Sequence, residues 1–318
     1  MNYKKVLVFG GGTGLSFLLK GLKHFPIDLT AVITVSDNGR STGKLRTEFH
    51  TPAVGDIRKV ITSLSEIDKP IRDMMSYRFK TYSDLDGHAV GNLILTAMLD
   101  ITGSLQESIN SLSKLLDVRA KVLPISEDSN LTLMGEAEDG RIIEGEEQIT
   151  EAQTKLKRIY YKNEPKVLPE VLKAIEEADL IILSMGSLYT SILPNIICKE
   201  VTDTLKKTKA PIMYVCNVVT QPGETDNFAV SDHIKMLNNY LKHRKVNVVI
   251  ASSSKIDKKI AEKYQTAEQK DPVPIDKEKV EKLGTELIAE DLIVLEDNIL
   301  RHDSLKLSSL IFSYLMRK

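Results

Sequence analysis

The sequence of 318 residues has little cysteine, no tryptophan and no long apolar run. Cys198 and Cys216 are the only cysteines, and their spacing matches no metal or redox motif. No segment approaches the roughly 18 consecutive apolar residues of a membrane-spanning helix, and no cleavage-site pattern follows the N-terminus. We therefore expect a cytoplasmic protein whose two thiols are buried and reduced, with no membrane span.

Charge and catalytic motifs are also sparse. The formal net charge of −1 excludes a global field that would favour nucleic acid or an anionic membrane. The six histidines form no close ligand pair, and Met185-Gly186-Ser187 lacks the flanking glycines of a nucleophile elbow. No Walker lysine follows the glycine-rich segment near the N-terminus, which argues against ATP hydrolysis.

What is present is an alternation of short apolar runs and helical patterns. Runs that are apolar on both faces and separated by helices predict a parallel sheet covered on both sides. We predict one α/β domain over residues 1–318, a doubly wound Rossmann-like sheet. The predicted strands are Val6–Phe9, Thr30–Val35, Leu180–Leu183, Ile212–Cys216, Val246–Ile250 and Leu292–Leu295, and the clearest helices are Leu15–Leu22, Ile57–Leu64, Ala89–Leu99, Leu105–Leu116 and Leu305–Leu315.

Residues 120–162 have a different pattern. Four short extended runs follow one another there, and Glu138-Asp139-Gly140 has the composition of a hairpin turn. We predict a small antiparallel insertion, or an element at the edge of the main sheet, made from Ala120–Ile125, Leu131–Ala137, Arg141–Ile149 and Leu156–Tyr161.

The segment Gly10-Gly11-Gly12-Thr13-Gly14 follows the first strand and opens a helix. Glycines at such a turn allow positive φ and close backbone approach, and the helix N-terminus attracts an anion. The Thr13 hydroxyl is a further donor. Leu15 occupies the position of the last glycine in the dinucleotide fingerprint, so a tight turn without a ligand is the alternative.

The loop after the second strand carries the next group of candidates. It leaves the carboxyl end of a parallel strand beside the glycine turn, where open α/β sheets bind ligands. Its polar residues are Asp37, Asn38, Arg40, Ser41, Lys44 and Arg46. The cations suit phosphate oxygens, and Asp37 or Asp56 could hold Mg²⁺ or accept from a ribose hydroxyl. A solvated polar turn is the alternative, and for Asp56 the alternative is a helix N-cap.

Later loops add amide and hydroxyl groups to the same sheet edge. Gly186, Ser187 and Thr190 follow the strand Leu180–Leu183 as phosphate donors, and Asn217 and Gln221 follow the next strand as readers of a base or sugar edge. Asn92 lies where a helix begins or bends, and capping that helix and contacting a base or sugar hydroxyl are equal alternatives for its side chain.

Collinear motifs resemble those of one family. They are Gly10–Gly14, Ser36-Asp37-Asn38-Gly39, Gly55-Asp56-Ile57-Arg58, Gly91-Asn92-Leu93, Gly186–Ser191, Cys216-Asn217 and Thr220–Thr225. Together they resemble the bacterial gluconeogenesis factor family, the YvcK-like group, a relative of 2-phospho-L-lactate transferase. The resemblance extends from about residue 4 to the C-terminus.

This resemblance implies a Rossmann-like fold and binding of UDP-sugars such as UDP-N-acetylglucosamine. It also implies a role in cell shape and in growth on gluconeogenic carbon sources, without an established reaction. Thr13 falls in the diphosphate loop of that group, and Tyr264 and Arg301 fall where the group completes its sugar-nucleotide site. From the residues alone, the polar helix around Tyr264 favours a surface aromatic, whereas Arg301 follows the predicted strand Leu292–Leu295 and suits the site by topology.

Three functional readings follow. The first is a regulatory protein whose ligand is a UDP-sugar, with Gly11, Gly12, Thr13 and Gly14 around the diphosphate. The second is a Mg²⁺-dependent phosphoryl-group transferase that uses Asp37 and Asp56. The third, an NAD-dependent oxidoreductase, is disfavoured by Leu15 and by the lack of catalytic candidates. The apolar C-terminal helices would suit either a homodimer or the core.

Overall fold

The computed structural model describes residues 3–296 and 299–317. Seven parallel strands form the main sheet in the order β3-β2-β1-β7-β8-β9-β10. Their bounds are β1 Lys4–Gly10, β2 Ile27–Ile33, β3 Lys121–Pro124, β7 Leu180–Leu183, β8 Ile212–Val215, β9 Val248–Ser252 and β10 Glu286–Glu290. This confirms the predicted doubly wound Rossmann-like sheet.

Helices alternate with the strands along the chain. Their bounds are α1 Gly12–Leu22, α2 Arg40–Phe49, α3 Gly55–Leu64, α4 Lys69–Ser76, α5 Val90–Thr102, α6 Leu105–Leu115, α7 Glu146–Glu151, α8 Pro169–Glu177, α9 Leu193–Ile196, α10 Lys199–Lys207, α11 Val230–Leu241, α12 Lys258–Glu268, α13 Lys277–Lys282 and α14 Ser304–Met316, with a short π-helix at Leu188–Ile192. Helix α1 packs against α3 and α14, and α8 packs against α10. Among the described residues, no helix is long and apolar enough to cross a membrane.

The centre of the sheet fixes where a ligand can bind. β1 lies between β2 and β7, paired in parallel with both. The chain moves outward from β1 to β2 and β3, and then returns to the other side of β1 as β7. In open α/β sheets such a reversal leaves a crevice between the loops at the carboxyl ends of the two strands. The crevice here lies between the loops after β1 and β7.

Five of the six predicted strands belong to this sheet; the sixth, Leu292–Leu295, is a strand as predicted, but its place in the main sheet was wrong. Residues Ile293–Glu296 form β11, which pairs in antiparallel fashion with β12, Ile299–His302, outside the main sheet. The seventh parallel strand is instead β10, Glu286–Glu290. As an edge strand with one neighbour it carries a glutamate at each end and is only partly buried. It therefore lacks the continuous apolar run used to predict the other strands.

The predicted insertion is antiparallel over most of its length. Strands β4, Leu133–Ala137, β5, Ile142–Glu144, and β6, Leu156–Tyr161, form a separate sheet in the order β5-β4-β6. Two parts of the prediction were wrong. The Ala120–Ile125 run supplies β3, a parallel edge strand of the main sheet, because both faces of that run are buried. The end of the Arg141–Ile149 run enters helix α7, where Ile149 points into the core.

Candidate functional site

The glycine turn between β1 and α1 presents free helix amides at the crevice. Gly11 is the N-cap of α1, and no side chain caps this end of the helix. Gly12 has φ of +61°, a left-handed conformation that favours glycine. Thr13, one position further, is exposed. The backbone N–H groups and the positive end of the helix dipole therefore remain available to an anion.

The same turn packs tightly against the loop after β7. A Cβ on Gly14 would lie 2.1 Å from the carbonyl oxygen of Met185, and a Cβ on Gly10 would lie 2.1 Å from Oγ of Ser184. Neither position can hold a larger residue without movement of the backbone or a buried side chain. Glycine at both positions brings the two loops together as one binding edge.

Asp56 lies over the glycine turn. Its Oδ2 is 2.9 Å from the position that a Cβ on Gly11 would occupy, and its Oδ1 accepts a 2.8 Å hydrogen bond from Nζ of Lys59. The alternative in which Asp56 caps α3 was wrong, because the helix begins at Gly55 with Val54 as N-cap. Asp56 is therefore in the first turn, and its carboxylate is aimed at the crevice.

Two further carboxyl groups share this region. Asp37 accepts a 2.9 Å hydrogen bond from the Gly39 N–H, and Oε2 of Glu146 accepts from Oγ of Ser36 at 3.4 Å. Burial raises the pKa of Asp37, and the nearby charge of Asp56 raises it further. Burial also raises the pKa of Glu146 well above its usual range, and both aspartates add to the effect. The three acids thus repel one another in a poorly solvated space.

A magnesium ion would relieve this repulsion, but the geometry does not provide a ligand set. Within residues 3–296 and 299–317, no three His, Cys, Asp or Glu side chains are grouped so that they could hold a metal ion. One oxygen of Asp56 is already committed to Lys59. A Mg²⁺ ion held by Asp37 and Asp56 would need phosphate oxygens of a ligand and water to complete its coordination.

Two residues of the loop after β2 connect it to other segments of the chain. Asn38 accepts from the Glu147 N–H at 2.9 Å and donates to Oε1 of Gln148 at 2.7 Å, so it holds the start of α7. Arg46 donates to four backbone carbonyls, those of Ser36, Asp37, Ser129 and Leu131, at 2.7–3.1 Å. Both side chains form these hydrogen bonds with other parts of the protein, and their predicted ligand contacts remain predictions.

Arg40 and Lys44 are exposed cations in the first turns of α2, because the predicted loop becomes helical from Arg40 onward. Arg40 has φ of +45° at the first position of α2, a conformation that costs a non-glycine residue energy. Lys44 lines a cavity of about 810 Å³ between α2, the insertion and the segment after β3. Neither ammonium nor guanidinium forms an ion pair with a described residue.

The loop after β7 is held by residues from the loop after β8. Asn217 accepts from the Gly186 N–H at 2.9 Å and donates to the Gly186 carbonyl at 2.7 Å. Ser187 donates to Oε2 of buried Glu224 at 2.6 Å and accepts from both the N–H and the hydroxyl of Thr190. These bonds begin the π-helix, an irregularity frequent at functional sites.

Two of the predicted residues have buried side-chain groups that bear on the site. Oε1 of Gln221 is buried and has no hydrogen-bond partner among the described residues, which is unusual for a buried polar atom. Asn92 is buried, and its Nδ2 donates to Oγ of Ser41 at 3.1 Å, which links the first turns of α5 and α2.

The C-terminal candidates Tyr264 and Arg301 lie on α12 and β12, and Arg301 contacts α1. The guanidinium of Arg301, on β12, lies 5.6 Å from the ring centre of Phe17, one turn after Thr13. Tyr264 is buried rather than on the surface, and its hydroxyl accepts from the Leu300 N–H at 2.7 Å. Tyr264 thus anchors the strand that carries Arg301, and the two residues belong to one local arrangement.

The sequence analysis did not identify Glu146, Lys59 or Glu224 as members of the site. Lys59 follows the motif Gly55-Asp56-Ile57-Arg58 and Glu224 lies within Thr220–Thr225, so their positions in the sequence could have indicated a place in the site. Glu146 had none, because it reaches Asp37 only through the folding of the insertion.

Comparisons with known proteins find relatives that match nearly the whole chain. A family model described as 2-phospho-L-lactate transferase CofD matches residues 6–293. The gluconeogenesis factor of Bacillus subtilis is 42% identical over 312 residues, which cover 98% of this chain and 98% of that protein. A putative gluconeogenesis factor of Thermotoga maritima is 42% identical over 96% of this chain and 98% of its own. The X-ray crystal structure of a Bacillus halodurans protein, 41% identical, superimposes with a TM-score of 0.94 and covers 98% of this chain and 99% of that chain.

Proposed function

Because the chain belongs to the CofD family and, within it, groups with the bacterial gluconeogenesis factors, we propose that it is a regulatory protein that binds a UDP-sugar. The ligand we propose is UDP-N-acetylglucosamine or a close analogue. Its diphosphate would rest on the N-terminus of α1, at the reversal of strand order between β1 and β7.

One observation carries this proposal. The first turn of α1 has no capping side chain and an exposed Thr13, and it opens at the centre of a buried parallel sheet. Unsatisfied amides at a helix end need a partner, and a diphosphate supplies several acceptor oxygens together with the charge that the helix dipole favours.

Other groups suit the remainder of such a ligand. Oε1 of Gln221 is a buried acceptor without a donor, and a uracil N–H or a sugar hydroxyl would supply one. Arg301, next to Phe17, offers a cation one helical turn from Thr13. Tyr264 contributes indirectly by holding the strand of Arg301.

A regulatory role fits the chemistry of the crevice. Most polar groups after β7 and β8 are bonded to one another, as in the Ser187–Glu224 and Gly186–Asn217 pairs. Such internally bonded groups build a rigid binding site. We propose that ligand occupancy is the signal, and that it connects nucleotide-sugar supply to cell shape and to growth on gluconeogenic carbon.

The test is a titration of the wild-type protein and two Thr13 variants with UDP-N-acetylglucosamine. Thr13→Glu places a carboxylate at the second position of α1, where it favours the helix but repels a diphosphate. Thr13→Gln has the same size without the charge. We expect the wild type to gain about 2.7 kcal/mol of stability at ligand a hundredfold above Kd. Thr13→Glu should lose this gain and Thr13→Gln should keep most of it.

Two results would contradict the proposal. The first is the absence of heat and thermal shift in the wild type at millimolar ligand. The second is equal binding by wild type and Thr13→Glu, which would place the ligand elsewhere.

A phosphoryl-group transferase activity is the second candidate. The family description favours it, as does the position of Asp56 beside the glycine turn with Asp37 close to Asp56. The assay supplies a nucleotide-activated lactate, a hydroxyl acceptor and Mg²⁺, and it follows both the new phosphate ester on the acceptor and the released nucleotide, for wild type and Asp37→Asn. Product that disappears in Asp37→Asn would favour this reading over the regulatory one.

A further inference from the structure

Arg58, on α3, is a buried cation without a counter-ion. The residue is 6% exposed. Its Nε donates to Oδ1 of Asn92 at 3.3 Å, and its Nη1 lies 3.5 Å from Oγ of Ser76. Among the described residues, no carboxylate oxygen forms an ion pair with its guanidinium, since the nearest acid on its own helix, Asp56, is paired with Lys59.

This arrangement is costly unless something else balances the charge. Burial lowers the pKa of Arg58, the neighbouring Arg78 lowers it further, and only the more distant Asp56 opposes the effect. A guanidinium stays protonated in proteins, so the charge remains. Uncompensated buried charges are strongly destabilising, and two arginines near one another increase the cost.

Two helix N-termini lie next to one another. α2 and α5 begin after Gly39 and Ala89, and no described side chain caps either helix, although the Val90 N–H of α5 already donates to the Tyr77 carbonyl at 3.0 Å. Their first turns are joined by the hydrogen bond from Asn92 to Ser41, and Nδ1 of His88 lies 3.2 Å from the Ser41 hydroxyl. Helix dipoles, hydroxyl and guanidinium groups thus all favour negative charge at one point.

We propose that these residues form a binding site for a single phosphate group, separate from the diphosphate site on α1. The site, which we name the arginine pocket, consists of Ser41, Arg58, Arg78, His88 and Asn92. Phosphate suits it better than a carboxylate, because donors reach the point from α2, α3 and α5, and a tetrahedral oxyanion can accept from several directions.

The ligand would be a phosphorylated small molecule. His88 belongs both to the arginine pocket and to the wall of the cavity of about 810 Å³, which has the size of a small-molecule site. The phosphate would enter beside His88, and the rest of the ligand would occupy the cavity near Lys44. This inference does not depend on a UDP-sugar at α1.

The experiment uses inorganic phosphate as probe and measures thermal shift and ³¹P line broadening. Thr13→Glu serves as the parent protein, because its added carboxylate excludes phosphate from α1. We expect a saturable rise in Tm with phosphate in this parent. Adding Arg58→Met should weaken phosphate binding at least tenfold, and adding Arg119→Met, an exposed arginine near the other end of the sheet, should not change it.

A second variant covers the case in which Arg58→Met does not fold. Arg78→Gln removes the other cation from a half-buried position and should also weaken phosphate binding. The proposal is overturned if the Thr13→Glu parent shows no saturable shift, or if Arg78→Gln binds phosphate as tightly as that parent. A shift of equal size with acetate would also overturn it, since that result indicates general anion screening. The UDP-sugar titration of the wild type stands apart from all of these outcomes.

Discussion

Replacing Glu146 with glutamine should stabilise the protein at neutral and alkaline pH and have little effect at acid pH. Glutamine keeps the shape of the side chain and can still accept the hydrogen bond from Ser36. It removes a charge that burial, Asp37 and Asp56 all disfavour. The change therefore tests whether the three carboxyl groups lie together as the structure shows.

The direction in which the stability difference changes with pH follows from proton linkage. The pKa of Glu146 in the folded state is raised above the ordinary value of 4.5, so the folded protein binds this proton more tightly than the unfolded chain does. Stability of the wild type therefore falls as pH rises from the unfolded pKa to the folded pKa. The variant has no such proton. The difference in free energy of unfolding should grow by up to about 1.4 kcal/mol per pH unit in that interval and then level off.

The assay is urea unfolding at a series of pH values from 4 to 9. Glu151→Gln, at the exposed end of the same helix α7, is the matched control and should change stability by less than about 0.5 kcal/mol throughout. A difference for Glu146→Gln that is independent of pH would refute the reasoning. So would a variant less stable than wild type at pH 8, because the carboxylate would then have a favourable partner.

Three further predictions follow from the packing. Gly14→Ala should lower the free energy of unfolding by about 3 kcal/mol or more in urea denaturation, because its Cβ would overlap the Met185 carbonyl. Arg46→Met should cost about 3 kcal/mol or more even without ligand, since four carbonyls lose their donor, whereas Arg40→Met should cost less than about 0.5 kcal/mol. Burial raises the pKa of Cys216 to about 12, so its thiol should react with a disulfide reagent at pH 8 only at the rate of unfolding; rapid reaction in the native protein would contradict the buried position.

The main sheet and the glycine turn were predictable because their signals are local. A strand buried on both faces needs a continuous apolar run, and the runs at β1, β2, β7, β8 and β9 have it. Gly12 is required because its φ is positive, and Gly14 is required because a Cβ there would overlap the Met185 carbonyl. The strand that was missed, β10, lies at the edge of the sheet and is only partly buried. Its residues therefore do not all need to be apolar, and no continuous apolar run marks it in the sequence.

The roles of the polar loop residues were not predictable in the same way. Asn38, Arg46 and Asn217 have the chemistry of ligand contacts, yet their hydrogen bonds go to the insertion, to four loop carbonyl groups and to Gly186. The same donors satisfy either a ligand or the backbone. Composition alone does not distinguish the two, because the choice depends on which segment folds against them.

By itself the sequence determined the central strands of the sheet, the crevice at their carboxyl ends and the glycine turn, since each depends on a periodic pattern or on glycine within a few residues. Only the tertiary structure decided that Glu146 joins Asp37 and Asp56, and that Arg58, beside Asn92, has no counter-ion among the described residues. Charges distant in the chain interact through space. Their energy depends on burial and distance, which are fixed only when the insertion and helices α2, α3 and α5 have packed together.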